Sequence, residues 1–130
     1  MGEAARRRRR EEEDFLFSGV GSGAKPGGVI DFMITSPLDG SYHPFGEISP
    51  GSCSLLVDGR DVTLQYWYDW TTAGGSGTVA FYFDDVNHPR RELISIEYLG
   101  GGDVVIKAMA YQDQARVYLI AEDFVTVTTY

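Results

Sequence analysis

The sequence predicts an all-β protein: an antiparallel β-sandwich of seven or eight strands, preceded by an N-terminal arm. From Val29 onward, short segments rich in Val, Ile, Tyr, Phe and Thr alternate with Gly, Pro, Asn and Asp, which is the pattern of strands and turns. No helical period appears after Asp14. Seven or eight short strands in one chain of this size are typical of two packed sheets, with Ig-like or jelly-roll strand order as the two alternatives.

The candidate strands share β-branched and aromatic residues and are bounded by turn residues. They cover residues 29–35, 53–57, 62–70, 78–84, 92–99, 103–110, 115–121 and 124–129. Asp58-Gly59 predicts a tight turn, since this dipeptide supplies residues that tolerate a positive φ. The expected organisation is an arm over residues 1–17, a glycine-rich linker over residues 18–28 and the sandwich over residues 29–130.

The arm contains five consecutive arginines followed at once by four acidic residues, in the stretch ARRRRREEED. On a helix these would form i,i+4 pairs, each contributing roughly 0.2–0.5 kcal/mol. Arginine before glutamate is the weaker order and opposes the helix dipole, so we expect the arm to become ordered only on a partner. The predicted partner-binding residues are Arg7, Arg8, Arg9, Arg10, Glu11, Glu12, Phe15, Leu16 and Phe17.

Charge argues against nucleic acid as the partner. Residues 1–24 hold five basic and five acidic residues, so the remaining six basic and fourteen acidic residues account for the net charge of −8. An acidic domain repels a polyanion, and the arginines of the arm are neutralised by their neighbours. No apolar run approaches the ~20 residues that span a bilayer, and the N-terminus lacks the apolar segment of a signal peptide. We therefore expect no direct binding to nucleic acid or membrane, and no Sec export.

The segment from residue 34 to residue 63 carries a family resemblance. It contains Ser36-Pro37-Leu38-Asp39-Gly40 after the first predicted strand, a Ser-Pro corner, and then Leu55, Val57-Asp58-Gly59 and Asp61-Val62-Thr63. This arrangement resembles bacterial and phage Ig-like modules. The resemblance implies a scaffold or display unit of surfaces and virions. It implies no catalytic residue and no cofactor.

The densest aromatic segment is QYWYDW, residues 65–70. Strand alternation places Tyr66, Tyr68 and Trp70 on one face, with Trp67 and Asp69 on the other. If the first face is exposed, it is a surface aromatic patch for a protein or a sugar ring. If it is covered, it belongs to the core.

Other candidate site residues have simpler interpretations. Asp84 and Asp85 lie in one loop with oxygen ligands that suit calcium, but acidic residues are also common in turns, and no metal site is predicted. His43 and His88 each stand beside a proline and are expected to be exposed loop residues. Cys53 lies in an apolar alternation and is expected to be a buried thiol.

Together these features predict a non-enzymatic structural protein that decorates or cements a larger assembly, with a phage capsid as the leading candidate. The arm would bind a neighbouring protein subunit, the protein would form a homo-oligomer, and its location would be the virion. The alternative is a surface Ig-like adhesion or carbohydrate-binding module at the cell surface, with Tyr66, Tyr68 and Trp70 as its platform.

Overall fold

A computed structural model describes residues 27–130, which form a two-sheet β-sandwich. The strands share short lengths and alternating burial. They are β1 (Ile30–Ser36), β2 (Tyr42–His43), β3 (Ile48–Val57), β4 (Arg60–Asp61), β5 (Trp67–Gly75), β6 (Val79–Tyr82), β7 (Leu93–Tyr98), β8 (Gly102–Tyr111) and β9 (Leu119–Thr129). One 3-10 turn, Thr63–Gln65, precedes β5. The predicted fold class, an all-β sandwich, is confirmed.

The strand order identifies the topology of the sandwich. The first sheet has the order β1-β3-β7-β6, with β4 paired to β3, and the second has the order β2-β9-β8-β5. Without β2 and β4, which have two residues each, seven strands remain. Counted along the chain, the first sheet contains strands one, two, five and four, and the second sheet contains strands seven, six and three. This is the strand order of an immunoglobulin constant-type sandwich, so it decides between the two strand orders that the sequence left open.

The core lies between the sheets and is built from alternate residues of each strand. Phe32 on β1 stacks on Tyr68 on β5 with ring centroids 5.7 Å apart, and both side chains are fully buried. A side chain at Gly51 on β3 would meet Ile94 and Ile96 of the neighbouring strand β7 in the same sheet, since an added Cβ would lie 2.8 Å from each. Glycine is therefore required there by packing rather than by a turn.

The tight turn predicted at Asp58-Gly59 is present between β3 and β4. Asp58 has φ of 51° and Gly59 has φ of 79°, which are the left-handed conformations that a two-residue hairpin turn needs. Asp58 also accepts a hydrogen bond from the backbone N–H of Val29 at 2.9 Å. This contact holds the start of β1 against the turn.

Three strand predictions were wrong in detail. The predicted strands at residues 115–121 and 124–129 form one strand, β9, and residues 112–118 form the loop before it. The predicted strand at residues 62–70 begins only at Trp67, after the 3-10 turn, and continues to Gly75. The predicted strand at residues 53–57 begins at Ile48 rather than at Cys53.

One pairing departs from the antiparallel rule. β2 pairs with β9 in parallel, through Tyr42 with Thr128 and His43 with Thr129. All other strand pairs in the described residues are antiparallel. The sequence could not reveal this pair, because β2 has only two residues.

Candidate interaction surface

The predicted partner-binding residues of the arm lie outside the described residues. These are Arg7, Arg8, Arg9, Arg10, Glu11, Glu12, Phe15, Leu16 and Phe17. Their role remains a prediction.

The predicted surface patch of Tyr66, Tyr68 and Trp70 was wrong. Tyr68 is fully buried and Trp70 is 4% exposed, while Tyr66 is half-buried against the core. Strand alternation correctly put Tyr68 and Trp70 on one face of β5, but this face points into the sandwich. Burial is possible for their polar atoms because the Tyr68 hydroxyl donates to the Thr63 carbonyl at 2.7 Å and the Trp70 indole N–H donates to the Arg91 carbonyl at 2.9 Å.

The outward-facing aromatic residue of β5 is Trp67, and it is surrounded by arginines. The Arg90 guanidinium carbon lies 4.3 Å from the centroid of the Trp67 ring, and that of Arg116 lies at 5.8 Å. Both distances are within the range of cation–π attraction. Trp67 is therefore held by two cations from two different loops, residues 83–92 and residues 112–118.

Arg116 is fixed by backbone carbonyls rather than by carboxylates. Its guanidinium donates to the carbonyls of Tyr68 at 2.6 Å, Pro89 at 3.1 Å and Gln114 at 3.3 Å. Partial burial and the nearby Arg91 charge lower the pKa of Arg116. Its φ is 57°, an uncommon conformation for a residue with a side chain. The loop thus holds a cation in place at some conformational cost.

Arg91 is the paired member of this group. It makes two hydrogen bonds to the Asp85 carboxylate, both at 3.0 Å, and one to Asp69 at 3.1 Å. The Arg91 hydrogen bonds lower the pKa of Asp85. The same guanidinium lies 4.0 Å from the centroid of the Phe83 ring. Arg91 therefore ties the 83–92 loop to β5.

Arg90, Arg91 and Arg116 are called the arginine cluster below. Residues 27–130 contain five basic and fourteen acidic residues, a net charge of −9, and three of the five basic residues lie in this cluster. Of the other two, Lys107 pairs with Glu122 at 3.1 Å, and Arg60 follows the Asp58-Gly59 turn. Within the described domain, no carboxylate lies within ion-pair distance of Arg90 or Arg116. The cluster therefore gathers most of the basic residues of the described domain, together with Asp69 and Asp85, which pair with Arg91.

Exposed apolar side chains border the arginine cluster. Phe83 and Val86 belong to the same loop as Arg90 and are 38% and 90% exposed. Val117 and Tyr118 follow Arg116 in the chain and are 66% and 57% exposed. The site therefore combines positive charge with exposed apolar area.

The sequence analysis missed this site. The sequence did contain a signal for a basic site. Arg90 and Arg91 are the only two adjacent basic residues after residue 24, and the sequence around them is acidic. The contribution of Arg116 could not be seen, since it contacts Tyr68 from 48 positions away.

The acidic loop residues considered for calcium have protein partners. Asp84 accepts hydrogen bonds from the Asn87 backbone N–H at 3.2 Å and from its side-chain amide at 2.9 Å, which lowers the Asp84 pKa. Asp85 is bound by Arg91. Within residues 27–130 no three His, Cys, Asp or Glu side chains converge in a way that could hold a metal ion.

His43 is not the exposed loop residue that the sequence predicted. Its side chain is 13% exposed and stacks on the buried Tyr98 with ring centroids 4.0 Å apart. Its Nδ1 contacts the Glu47 carboxylate, and its Nε2 lies 2.7 Å from the Ser41 hydroxyl. The Ser41 hydroxyl also donates to the Leu38 carbonyl at 2.6 Å. Ser41, His43 and Glu47 are thus joined by hydrogen bonds around the turn that follows β2.

His88 and Cys53 also have structural partners. His88 Nδ1 lies 2.7 Å from the Glu92 carboxylate, and its side chain is 34% exposed, so it is less open than predicted. Cys53 is buried, as predicted. Burial, with a smaller contribution from Glu92, strongly raises the pKa of the Cys53 thiol, which keeps it protonated and a poor nucleophile.

A second exposed surface lies on the outer face of the first sheet. Its residues form cross-strand rows of β3, β7 and β6. The rows are Ile48–Glu97–Ala80, Pro50–Ser95–Tyr82 and Ser52–Leu93. Ile48 is 63% exposed, Tyr82 52% and Leu93 37%. Glu97 is the single charged residue in these rows, and it accepts a hydrogen bond from Tyr82 at 2.7 Å. We call these eight residues the β3–β7–β6 face.

The fold is a β-sandwich with two exposed areas that contain apolar side chains. No protein-family model matches the chain, and no curated protein sequence matches it. Among solved structures, the chain is similar to domains 4 and 5 of the S-layer protein SbsC, with a TM-score of 0.45 and 12% identity. The similarity covers 78% of this chain and 53% of that one, so the chain spans about half the length of that structure. A likeness at this level gives no argument for a binding partner.

Within residues 27–130 there is no helix with the length and apolar character needed to cross a bilayer.

Proposed function

We propose that this chain is a non-enzymatic structural protein, an Ig-like β-sandwich module that binds into a larger protein assembly through its N-terminal arm. The favoured assembly is a phage capsid, which the module would decorate or cement, and the favoured location is the virion. The resemblance of residues 34–63 to bacterial and phage Ig-like modules supports this choice of assembly.

The observation that carries the proposal is the exposed apolar area of the β3–β7–β6 face. Ile48, Tyr82 and Leu93 lie within three adjacent rows, and the one charge among them is bonded to Tyr82. Contiguous apolar areas on a protein surface mark sites of contact with other proteins. A module with such a face and an arm that carries Phe15-Leu16-Phe17 has two means of binding neighbouring subunits. Burying each of these three side chains would contribute roughly 1.5–3 kcal/mol before the cost of ordering the arm.

The alternative function, carbohydrate binding or adhesion at a cell surface, loses its principal support. Its platform was Tyr66, Tyr68 and Trp70, and the last two are buried. A sugar ring cannot stack on side chains that lie between the sheets.

The experiment compares the full chain with a chain that lacks residues 1–17. Sedimentation velocity over a range of concentrations measures self-association, and circular dichroism verifies the β-sandwich in both. We expect the full chain to associate and the shortened chain to stay monomeric with the same spectrum. Equal association by both chains would overturn the proposed role of the arm.

A further inference from the structure

We propose that the arginine cluster is the receptor for residues 11–17 of the arm of a second copy of this chain. This inference rests on the proposed function, because it names the surface that the assembly arm would bind. The occupant is the segment EEEDFLF, four carboxylates followed by Phe, Leu and Phe.

Charge complementarity is the first argument. The domain has a net charge of −9 over residues 27–130 and would repel the acidic half of the arm almost everywhere. The repulsion is reduced at the arginine cluster, where Arg90 and Arg116 have no carboxylate within ion-pair distance among the described residues, although Asp69 and Asp85 act on Arg116 from farther away. Carboxylate–guanidinium hydrogen bonds are among the strongest that protein surfaces make.

Unused donors are the second argument. A guanidinium has five N–H donors. Among the described residues, the Arg90 side chain makes one hydrogen bond, from NH1 to the Tyr66 carbonyl at 3.1 Å. Stacking on Trp67 holds its plane in position. Arg90 is therefore a fixed cation with donors available to an incoming carboxylate, whereas the Arg91 donors are occupied by Asp85 and Asp69.

The apolar border is the third argument. An acidic segment alone would need only the cations, but here the acidic residues are followed directly by Phe15-Leu16-Phe17. Phe83, Val86, Val117 and Tyr118 supply exposed apolar area beside the cations. The carboxylates of the segment would contact the arginines, and the apolar side chains that follow them would contact the apolar residues beside the arginines.

The position of the cluster favours a reciprocal contact between two copies. The arm joins the domain at the start of β1, where Ile30 pairs with Val57. The cluster lies at the same end of the first sheet, since Glu92 next to Arg91 bonds to Cys53 on β3. The linker of residues 18–28 reaches at most roughly 40 Å when extended. Two copies that meet at this end can each place an arm on the other's cluster, as in a twofold interface.

The experiment uses the full chain with the photocrosslinking amino acid benzoylphenylalanine in place of Phe17. Equal amounts of nitrogen-14 and nitrogen-15 chains are mixed and irradiated, and crosslinked peptides are identified by mass spectrometry. We expect mixed-isotope crosslinks from position 17 to peptides that contain residues 83–91 or 114–118. Crosslinks confined to a single isotope would show that the arm binds its own domain and would overturn the proposal, as would crosslinks to another surface.

Matched variants test the role of charge. Arg90→Glu should weaken self-association by about tenfold or more, because it replaces an attraction by a repulsion. Arg60→Glu makes the same change in charge at the exposed strand β4 and should leave association unchanged. The triple change of Glu11, Glu12 and Glu13 to Gln alters the arm alone, so it should weaken association without touching the fold of the domain.

The outcomes separate this inference from the proposed function. If removal of residues 1–17 abolishes association while Arg90→Glu and the triple Gln variant do not, the arm acts at another surface and only this inference fails. If removal of the arm has no effect, the proposed function itself fails.

Discussion

Asp123 on β9 accepts a hydrogen bond from the backbone N–H of Ile34 on β1 at 2.9 Å, although the two residues are 89 positions apart. The two strands belong to different sheets, so this bond joins the sheets through a carboxylate that is 1% exposed. A buried carboxylate is costly unless it is hydrogen-bonded. Asp123 therefore contributes to the alignment of β1 over the second sheet.

Replacement of Asp123 should destabilise the sandwich. Asp123→Ala leaves the Ile34 N–H without its acceptor in the core, and we expect a loss of about 1–3 kcal/mol in the free energy of unfolding. Asp123→Asn keeps a carbonyl acceptor and should lose less. Urea denaturation followed by circular dichroism measures both. Equal stability of the Ala variant and the parent would show that the bond contributes nothing to folding.

Gly51→Ala should be destabilising through overpacking. The added Cβ would lie 2.8 Å from Ile94 and Ile96, and relief of such contacts typically costs about 1–3 kcal/mol. Gly27→Ala is the matched control, because nothing lies within 4 Å of its added Cβ. The melting temperatures of the two variants should differ clearly. A melting temperature of Gly51→Ala as high as that of the control would contradict the packing argument.

The two tryptophans should differ strongly in their importance for folding. Trp70 is 4% exposed, and Trp70→Ala should cost about 3–5 kcal/mol because it opens a cavity in the core. Trp67→Ala removes a half-buried ring and its stacking with Arg90, so its effect on the free energy of unfolding should be smaller. Guanidinium denaturation of both variants decides the order. A more damaging Trp67→Ala would mean that the inner face of β5 is assigned wrongly.

Acid should weaken the fold through carboxylates that the native loops bind. The backbone N–H groups of Tyr118 and Val117 donate to Asp113 at 3.0 Å each and lower its pKa, and Arg91 lowers the pKa of Asp85. A pKa lower in the folded state favours folding above the unfolded value of about 4, and this contribution is lost as pH falls further.

The measurement is the free energy of unfolding from pH 7 down to pH 2. We expect it to be flat near neutrality and to fall below about pH 4. The Asn side chain of Asp113→Asn cannot titrate, so the stability curve of this variant should fall less steeply than that of the parent. The control is Asp103→Asn, which removes a different carboxylate and keeps Asp113. An identical slope for Asp113→Asn and the parent would remove Asp113 from the acid response.

The sequence was sufficient to predict the features that depend only on residues adjacent in the chain. Asp58-Gly59 gave the tight turn because its two residues tolerate positive φ, and the alternation around Cys53 gave a buried thiol. The alternation of residues 66–70 was also right. It could not say which face is covered, because that depends on Phe32 and the rest of the opposite sheet.

Long-range contacts account for what was missed. The acidic residues Glu122 and Asp123 indicated a break between the predicted strands at residues 115–121 and 124–129. Asp123 can nevertheless be buried within β9, because the backbone N–H of Ile34 on β1 donates a hydrogen bond to it. The arginine cluster forms because residue 116 returns to the carbonyls of Tyr68 and Pro89. No local pattern contains either contact.

The parallel pair of β2 and β9 has a mechanical consequence. Contacts of Ile34 with Asp123, Gly40 with Thr126 and Tyr42 with Thr128 show that the chain from β1 to β2 advances alongside β9 in the same direction. Val29 and Tyr130 therefore leave the sandwich at opposite poles. A tensile load applied between those poles would strain the β2–β9 bonds in shear, all together, instead of unzipping them one after another.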